Sequence, residues 1–337
     1  MSLTGMAVQF EPGYPPAQII QARAALVARD HESASGLAMG LLDDPGMRPA
    51  ALEILGRVAL QQQQWTQALA HFEALAVALP QSALGPYWLG VARFREGNPA
   101  AAQDHLMLAH RRNPSPRIAS ALVDVLISTE QWDSAAQLAG GYTKADSALE
   151  RGLGHAWLGG VQRAKGDLEG AAKSYRAAVQ EQPDRIAYTL AAADLLIDLQ
   201  RFEQASALLD QASMKAPQHR LLQFKRAYLA QLAGNAAAAE QGYRSVLQRD
   251  PDWALPLLNL SEVVAADAGR SLESMELAER AARLAPRWMA AHWNLAQRAH
   301  EAENGEMARA AAMRVIELDP QHAGARAMLE AGNGNAG

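Results

Sequence analysis

The stretch AKGDLEGAAKSYRAAVQEQP, residues 164–183, predicts one turn followed by one helix. Gly166 and Asp167 interrupt the chain and an alanine-rich amphipathic run follows. Pro183 ends the helix, because proline lacks a backbone N–H and clashes with the preceding turn. The same layout recurs in QQQQWTQALAHFEALAVALP (61–80), REGNPAAAQDHLMLAHRRNP (95–114), LQRFEQASALLDQASMKAP (199–217) and LAGNAAAAEQGYRSVLQRDP (232–251). An internal repeat of this length decides the fold class.

Regularly spaced prolines give the period of the repeat. The intervals are 34, 69, 34, 34, 35 and 34 residues, between Pro80, Pro114, Pro183, Pro217, Pro251, Pro286 and Pro320. The interval of 69 is two periods plus one residue. Two helical patterns lie upstream of each proline, often separated by a glycine-centred turn such as Gly97-Asn98 or Gly234-Asn235. Each unit is therefore a helical hairpin of about 34 residues.

Composition supports an all-α fold. The chain has 337 residues, 49% of them hydrophobic, and contains 72 Ala, the best helix former. The net charge of −5 gives no basic footprint, which argues against a nucleic-acid-binding protein. Since there is no Cys, disulfides, thiolate zinc sites and cysteine nucleophiles are excluded. No apolar run approaches the length of about 18 residues that a membrane span needs.

The small-residue positions of the hairpins resemble those of the tetratricopeptide-repeat family. Its first helix carries Leu-Gly or Leu-Ala, found here at Leu55-Gly56, Leu89-Gly90, Leu158-Gly159 and Leu295-Ala296. Its second helix pairs a small residue with a large one, as in Ala68/Phe72, Ala171/Tyr175/Ala178, Ala205/Leu209/Ala212 and Ala239/Tyr243. Small residues let the two helices approach, and the large residue fills the gap against the next hairpin. The resemblance implies a right-handed α-solenoid.

We predict a short N-terminal extension, 1–14, a repeat array over 15–322, and a capping helix with a disordered tail over 323–337. The helical part of this cap is expected at 323–330. The nine repeats are expected at 15–48, 49–82, 83–115, 116–151, 152–185, 186–219, 220–253, 254–288 and 289–322.

The fourth repeat departs from the pattern. Gly140-Gly141 falls where its second helix should continue, and its closing proline is missing. Paired glycines destabilise a helix by about 1 kcal/mol each relative to alanine. This indicates either a shortened helix with a longer loop or a hinge near 140–151 between two halves of the array.

The sequence shows no catalytic motif, so we expect a protein that is not an enzyme and that binds no cofactor or metal. There is no nucleophile elbow, glycine-rich phosphate loop or zinc-protease motif. The nearest candidate, HEAEN at 300–304, places its ligands on one helix, where neighbouring residues do not converge.

The resemblance implies that the first helix of each repeat lines a concave groove. The groove positions expected to bind a partner are Arg23, Arg57, Tyr87, Phe94, Arg95, Arg163, Asp194, Asp198, Phe224, Tyr228, Glu262, Trp293 and Glu301. Aromatic residues are common anchors of recognition, although these side chains can also fold back onto neighbouring helices. The charged groove positions separate by sign along the chain. Those of the first five repeats are four arginines and Glu53, whereas those of the last four repeats are all acidic, with no Lys or Arg.

Two family devices are not supported by these residues. In some family members a clamp of Lys and Asn holds a C-terminal carboxylate; here Arg, Glu, Val and Ala occupy the corresponding positions. Other members carry an Asn one residue before the Leu-Gly pair of each repeat, and here only Asn259 and Asn294 keep it.

We therefore interpret the chain as a protein-interaction scaffold that docks a partner peptide or helix, with self-association left open. The alternative is the recognition half of a larger bacterial enzyme, a sugar or sulfate transferase or an oxygenase. The start MSLTGMAVQFEPGYPP lacks a signal peptide, which predicts a cytoplasmic protein, or a periplasmic one if a signal was removed.

Overall fold

The computed structural model describes residues 14–334 of the chain. Residues 1–13 of the predicted extension and 335–337 of the predicted tail lie outside the described residues. The described part holds nineteen α-helices, one 3₁₀ helix and no strand, which confirms the all-helical fold class. The helices are α1 Pro15–Val27, α2 His31–Met39, α3 Arg48–Gln61, α4 Trp65–Ala78, α5 Leu84–Arg95, α6 Pro99–Arg112, α7 Pro116–Ser128, α8 Trp132–Tyr142, α9 Ala148–Ala164, α10 Leu168–Glu181, α11 Ile186–Asp198, α12 Phe202–Lys215, α13 Arg220–Leu232, α14 Ala236–Arg249, α15 Ala254–Ala265, α16 Ser271–Leu284, α17 Met289–Glu301, α18 Gly305–Leu318 and α19 Ala323–Gly334.

The first eighteen helices form nine consecutive hairpins, so the chain is an α-solenoid of paired helices. Seven of the nine hairpins lie within their predicted repeat ranges. The second begins one residue early, because α3 starts at Arg48, and the fifth begins four residues early, because α9 starts at Ala148 inside the predicted fourth range. The final helix α19 follows the ninth hairpin and is four residues longer than the predicted 323–330.

The turn inside the hairpin has one left-handed residue, two positions after the end of the first helix. It is found in eight of the nine hairpins, at Arg29, Gln63, Gly97, Glu130, Gly166, Gln200, Gly234 and Glu303. Glycine adopts positive φ without strain, yet it fills three of these eight positions. The sequence signal for the turn is therefore stronger in the hairpins that carry glycine than in the others.

The residue after the left-handed position caps the second helix in five hairpins. Side-chain oxygens of Asp30, Asn98, Asp167, Asn235 and Asn304 accept from the backbone N–H three residues later. Asp and Asn are preferred at this position because they satisfy an N–H that the helix leaves free. The turn and the cap together fix where each second helix begins.

The eighth hairpin uses a different turn. The 3₁₀ helix Ala268–Arg270 joins α15 to α16 and carries no left-handed residue. Arg270 donates through Nη1 and Nη2 to both carboxylate oxygens of Glu240 on α14, at 2.9 and 2.6 Å, and through Nε to Glu273 at 2.9 Å. Arg244 also pairs with both glutamates, which closes a four-residue ion-pair network.

The chain divides into two compact units, Met1–Ser174 and Tyr175–Gly337, with the division inside α10. In unit 1, Phe72 on α4 is fully buried and stacks on Trp88 of α5, with ring centroids 5.6 Å apart. A side chain at Gly56 would collide with Phe72, and a β-carbon at Gly90 would lie 2.5 Å from Cγ of Leu106. Small residues in the first helices therefore make room for large residues of the second helices.

In unit 2, Tyr243 on α14 is fully buried and holds a polar link within the core. Its hydroxyl donates to Oε1 of Gln231 at 2.6 Å and accepts from Nδ2 of Asn259 at 3.1 Å. Burial raises the pKa of Tyr243, so the phenol stays protonated and keeps donating. The pair of hydrogen bonds connects α13, α14 and α15.

Gly140 and Gly141 lie inside α8, which continues to Tyr142 and has 11 residues. The segment 143–147 then leads to α9, and Arg151 donates through Nη1 to the carbonyls of Ala145 and Asp146, at 3.0 and 2.7 Å. The hinge near 140–151 stays a prediction.

Candidate partner-binding surface

In unit 1, arginines of the first helices gather around one carboxylate. Glu53 on α3 is buried and pairs with Arg23 of α1 at 3.3 Å and with Arg57 at 3.2 Å. Because two guanidinium groups share one carboxylate, the group keeps a net positive charge. Arg23 is exposed, whereas Arg57 is partly buried.

Arg57 also lies over an aromatic cluster on α5. Its Cζ is 5.1 Å from the centre of the Trp88 ring, and Cζ of Arg117 on α7 is 5.0 Å from the same centre. Arg117 additionally lies 4.7 Å over Tyr87 and donates through Nε to the Tyr87 hydroxyl at 3.1 Å. Tyr87 is thus held in place by a residue that sequence reasoning did not select.

Two cavities adjoin along these helices. We call the first the basic cavity; its volume is about 730 Å³ and it is lined by Arg29, His31, Arg57, Leu60, Gln61, Gln63, Trp65, Tyr87, Trp88, Val91 and Arg95. We call the second the apolar cavity; its volume is about 460 Å³ and it is lined by Tyr87, Val91, Phe94, Arg95, Leu106, Pro116, Arg117, Ser120, Ala121, Asp124, Leu153 and Trp157. Tyr87, Val91 and Arg95 line both, so the structure brings the predicted residues of repeats two and three together.

Phe94 and Arg95 are the accessible members of this group. Phe94 has 36% of its surface exposed, and Arg95 is exposed with no ion pair among the described residues. Burial raises the pKa of Asp124, which also lines the apolar cavity. Arg163, also predicted for the groove, is exposed at the end of α9 and lines neither cavity.

In unit 2, the predicted aromatic pair does not stay at the surface. Phe224 on α13 is 5% exposed and belongs to the core, with its ring 5.0 Å from that of Trp253 and 5.9 Å from that of Tyr243. This corrects its assignment as an accessible groove residue. Tyr228 is partly buried and stacks on Phe224 at 6.3 Å. Tyr243 of α14 and Trp253, the residue before α15, supply the rings that cover Phe224, and the pattern of α13 alone does not reveal them.

Two of the four predicted acidic positions of unit 2 form ion pairs, so the negative charge there is smaller than the sequence suggests. Asp194 pairs with Lys225, and Glu301 pairs with Arg298 at 3.0 Å. Lys225 and Arg298 are not among the predicted groove positions, but their long side chains reach the acids at those positions. Selecting groove positions alone therefore misses these partners.

Two other predicted acids of unit 2 lie in different surroundings. Glu262 accepts from Nε2 of Gln231 at 3.2 Å, and burial raises its pKa. Asp198 is exposed at the end of α11.

Trp293, the last predicted aromatic position, lies under the capping helix. It is partly buried, with its ring 4.8 Å from the His322 ring. A β-carbon at Gly324 of α19 would lie 2.8 Å from Cζ2 of Trp293. Trp293 thus packs against α19.

Sequence reasoning did not predict a third cavity, of about 690 Å³, formed by α12, α13 and α14 in unit 2. Arg226 and Asp210 lie in its wall and pair at 2.8 Å. Ala227 and Gly242 let α13 and α14 approach closely, since a β-carbon at Gly242 would lie 2.6 Å from that of Ala227. Small residues on facing helices are the signal that could have located it.

Within the described residues, no three His, Asp or Glu side chains come together in a way that could hold a metal ion. None of the described helices has both the length and the hydropathy needed to cross a bilayer.

Family models described as tetratricopeptide repeat match residues 19–83, 55–116, 120–186 and 162–232. The chain belongs to the tetratricopeptide-repeat family. Most of the nine hairpins therefore lie within matched residues, and the tetratricopeptide array supports a protein-interaction scaffold. Members of this family are typically not catalytic.

Solved structures with similar folds come from yeast, a Parabacteroides species and human. Yeast Tom70 is 15% identical with a TM-score of 0.58, over 99% of this chain and 84% of Tom70. A tetratricopeptide repeat protein from Parabacteroides merdae is 14% identical with a TM-score of 0.55, over 75% of this chain and 99% of that protein. Human IFIT1, solved as a dimer with PPP-AAAA, is 13% identical with a TM-score of 0.51, over 90% of this chain and 73% of that protein. At these identities the tetratricopeptide likeness is one of fold. A comparison with curated proteins found no match.

Proposed function

We propose that the first helices of unit 1 bind an extended segment of a partner protein across the basic and apolar cavities. The observation that carries this proposal is the meeting of Tyr87, Val91 and Arg95 at the boundary of the two cavities. One ligand segment in contact with these three residues would reach both cavities. Docking without chemistry is the mode of action that fits such a surface.

The two cavities favour different side chains of that segment. Phe94, Leu153 and Trp157 line the apolar cavity and suit a large apolar side chain. Arg29, Arg57 and Arg95 line the basic cavity, where no Asp or Glu is among the lining residues, and suit an acidic group. We therefore propose a segment that combines an apolar anchor with negative charge.

The test is selection of peptides from a random displayed library on the full-length protein, followed by association kinetics for the peptides recovered. We expect Arg95→Glu to slow association and to weaken its salt dependence, because charge complementarity acts mainly on the encounter rate. Phe94→Ala should lower affinity about fivefold or more through loss of the anchor contact.

Arg111→Glu is the matched control, since Arg111 is exposed on α6 and lines neither cavity. It should leave the kinetics of the selected peptides unchanged. Peptides without acidic residues, or rates that Arg95→Glu does not alter, would contradict the proposal.

A further inference from the structure

The basic cavity carries more positive charge than a single carboxylate can balance. Three arginines, Arg29, Arg57 and Arg95, line it without an acidic lining residue. Glu53 offsets Arg57 and is shared with Arg23. Even if Glu53 is counted wholly against Arg57, the charges of Arg29 and Arg95 remain, and neither residue has an ion pair in the described part of the chain. Two positive charges are therefore uncompensated among the lining residues of the basic cavity, and Asp124 lines the adjoining apolar cavity together with Arg95.

Polar residues and two tryptophans complete the lining of the basic cavity. Gln61 and Gln63 line the cavity with side-chain amides, and His31 Nε2 lies 2.8 Å from Oε1 of Gln61. Trp65 and Trp88 form the apolar part of the wall.

We propose that the basic cavity binds a phosphorylated serine or threonine side chain of the partner segment. The inference deepens the proposed function and rests on it. A phosphate monoester carries a charge of about −1.5 to −2 near neutral pH and three acceptor oxygens. It matches the two free guanidinium charges, whereas a carboxylate would leave one of them unbalanced. Arginine clusters bind phosphate well because each guanidinium donates a pair of parallel hydrogen bonds.

The partner class follows from the surroundings of the cavity. The apolar cavity continues from it through Tyr87 and Val91, which suits a phosphorylated residue with a large apolar neighbour in the same polypeptide. The chain as a whole has a net charge of −5, whereas binding along a nucleic-acid backbone depends on many cationic contacts. A phosphorylated protein segment is therefore the occupant to which we commit.

The direct test uses a small probe on the full-length, ¹⁵N-labelled protein. N-acetyl-phosphoserine-N-methylamide is titrated while the indole N–H signals of the seven tryptophans are followed. Phenylalanine substitutions assign the signals of Trp65 and Trp88. We expect both to shift, with about tenfold or more tighter binding than for the matching N-acetyl-glutamate amide, because the phosphate gains at least one more charge-assisted hydrogen bond. Equal binding of the two probes, or no shift with either, would overturn the inference.

Two variants separate charge from structure. Arg29→Gln keeps the turn, since Gln63 and Gln200 already occupy the equivalent left-handed position. Arg95→Gln changes an exposed side chain without an ion pair in the described residues. Each should weaken binding of the phosphoserine probe about tenfold. Arg111→Gln serves as control and should bind the probe like the unmodified protein; a similar loss in this variant would contradict a local site.

Peptides selected for the groove distinguish failure of this inference from failure of the proposed function. Each is made with serine, phosphoserine or glutamate at its acidic position. If all three forms bind equally and binding still depends on Phe94, the phosphate inference is wrong and the proposed function stands. If the phosphoserine probe binds through Arg29 but no selected peptide depends on Phe94 or Arg95, the anion site stands and the proposed groove fails. A short oligouridine that displaces the phosphoserine probe and binds more tightly would overturn the choice of a protein partner.

Discussion

Glycines in these helices act in opposite ways, depending on what surrounds them. Gly56 on α3 faces the buried ring of Phe72, where a side chain would collide. Gly141 on α8 has nothing within 4 Å of the position of a β-carbon. The same exchange for alanine is therefore harmful at one position and favourable at the other.

We predict that Gly56→Ala destabilises the protein by about 1–3 kcal/mol through overpacking. Gly141→Ala should stabilise it by about 0.5–1 kcal/mol, because alanine loses less backbone freedom in a helix. Urea denaturation followed by circular dichroism measures both, each variant serving as the control of the other. If Gly56→Ala unfolds at the same urea concentration as the unmodified protein, the close approach of α3 and α4 is not as described.

Individual side chains mark how far sequence reasoning extends into the binding surface. The resemblance to the tetratricopeptide-repeat family selected the positions of Tyr87, Phe94 and Arg95, because it places the groove on the first helix of each repeat. The burial of Phe224 could not be predicted, since it depends on Tyr243 and Trp253, which lie outside its own helix. The charge at Asp194 could not be predicted either, because the flexible side chain of Lys225, which is not a predicted groove residue, pairs with it.

The 3₁₀ turn of the eighth hairpin has a stabilising role that depends on pH. Hydrogen bonds from Arg270, and then from Arg244, lower the pKa of Glu240 from 4.5 to about 2. Hydrogen bonds from the same arginines lower the pKa of Glu273. Because these folded-state values lie below those of a free glutamate, the ionised network stabilises the fold above about pH 4.5. That contribution is lost as the pH falls towards 2.

We predict that Glu240→Gln lowers the stability of the protein at pH 7 by about 1 kcal/mol or less, as expected for a solvent-accessible network. The variant should also lose less stability than the unmodified protein between pH 4.5 and 2. Thermal melts at stepped pH values measure both effects. Glu276→Gln, an exposed position on the same helix α16 as Glu273, should follow the unmodified pH curve. Parallel curves for Glu240→Gln and the unmodified protein would count against the network.

The array as a whole could be predicted from its period, because the spacing of helix-ending prolines and the small residues in phase with it require paired helices. The eighth hairpin could not be predicted in detail, since its interval of 35 residues reveals an insertion but not the 3₁₀ helix that absorbs it. The division of the chain inside α10 has no composition signal either, because residues 168–181 form an uninterrupted helix pattern.

Limited proteolysis tests the predicted hinge. The segment between α8 and α9 includes exposed Lys144, so we expect trypsin to cut first after this residue and to release fragments ending at 144 and beginning at 145. Mass spectrometry of the earliest fragments identifies the site, and Lys144→Gln should delay the first cut. A first cut after Lys165, in the turn of the fifth hairpin, would favour the interpretation of a shortened helix without a hinge.

The left-handed turn position gives the array a way to change preference without changing its scaffold. Gly97, Gln63 and Arg29 occupy it with a similar backbone, yet they offer a ligand no side chain, an amide and a cation. Arg29 and Gln63 both border the basic cavity. Exchanging them would displace a positive charge by one repeat while every helix keeps its place. Substitutions at the left-handed turn position can therefore change the ligand preference of one repeat without altering the helices.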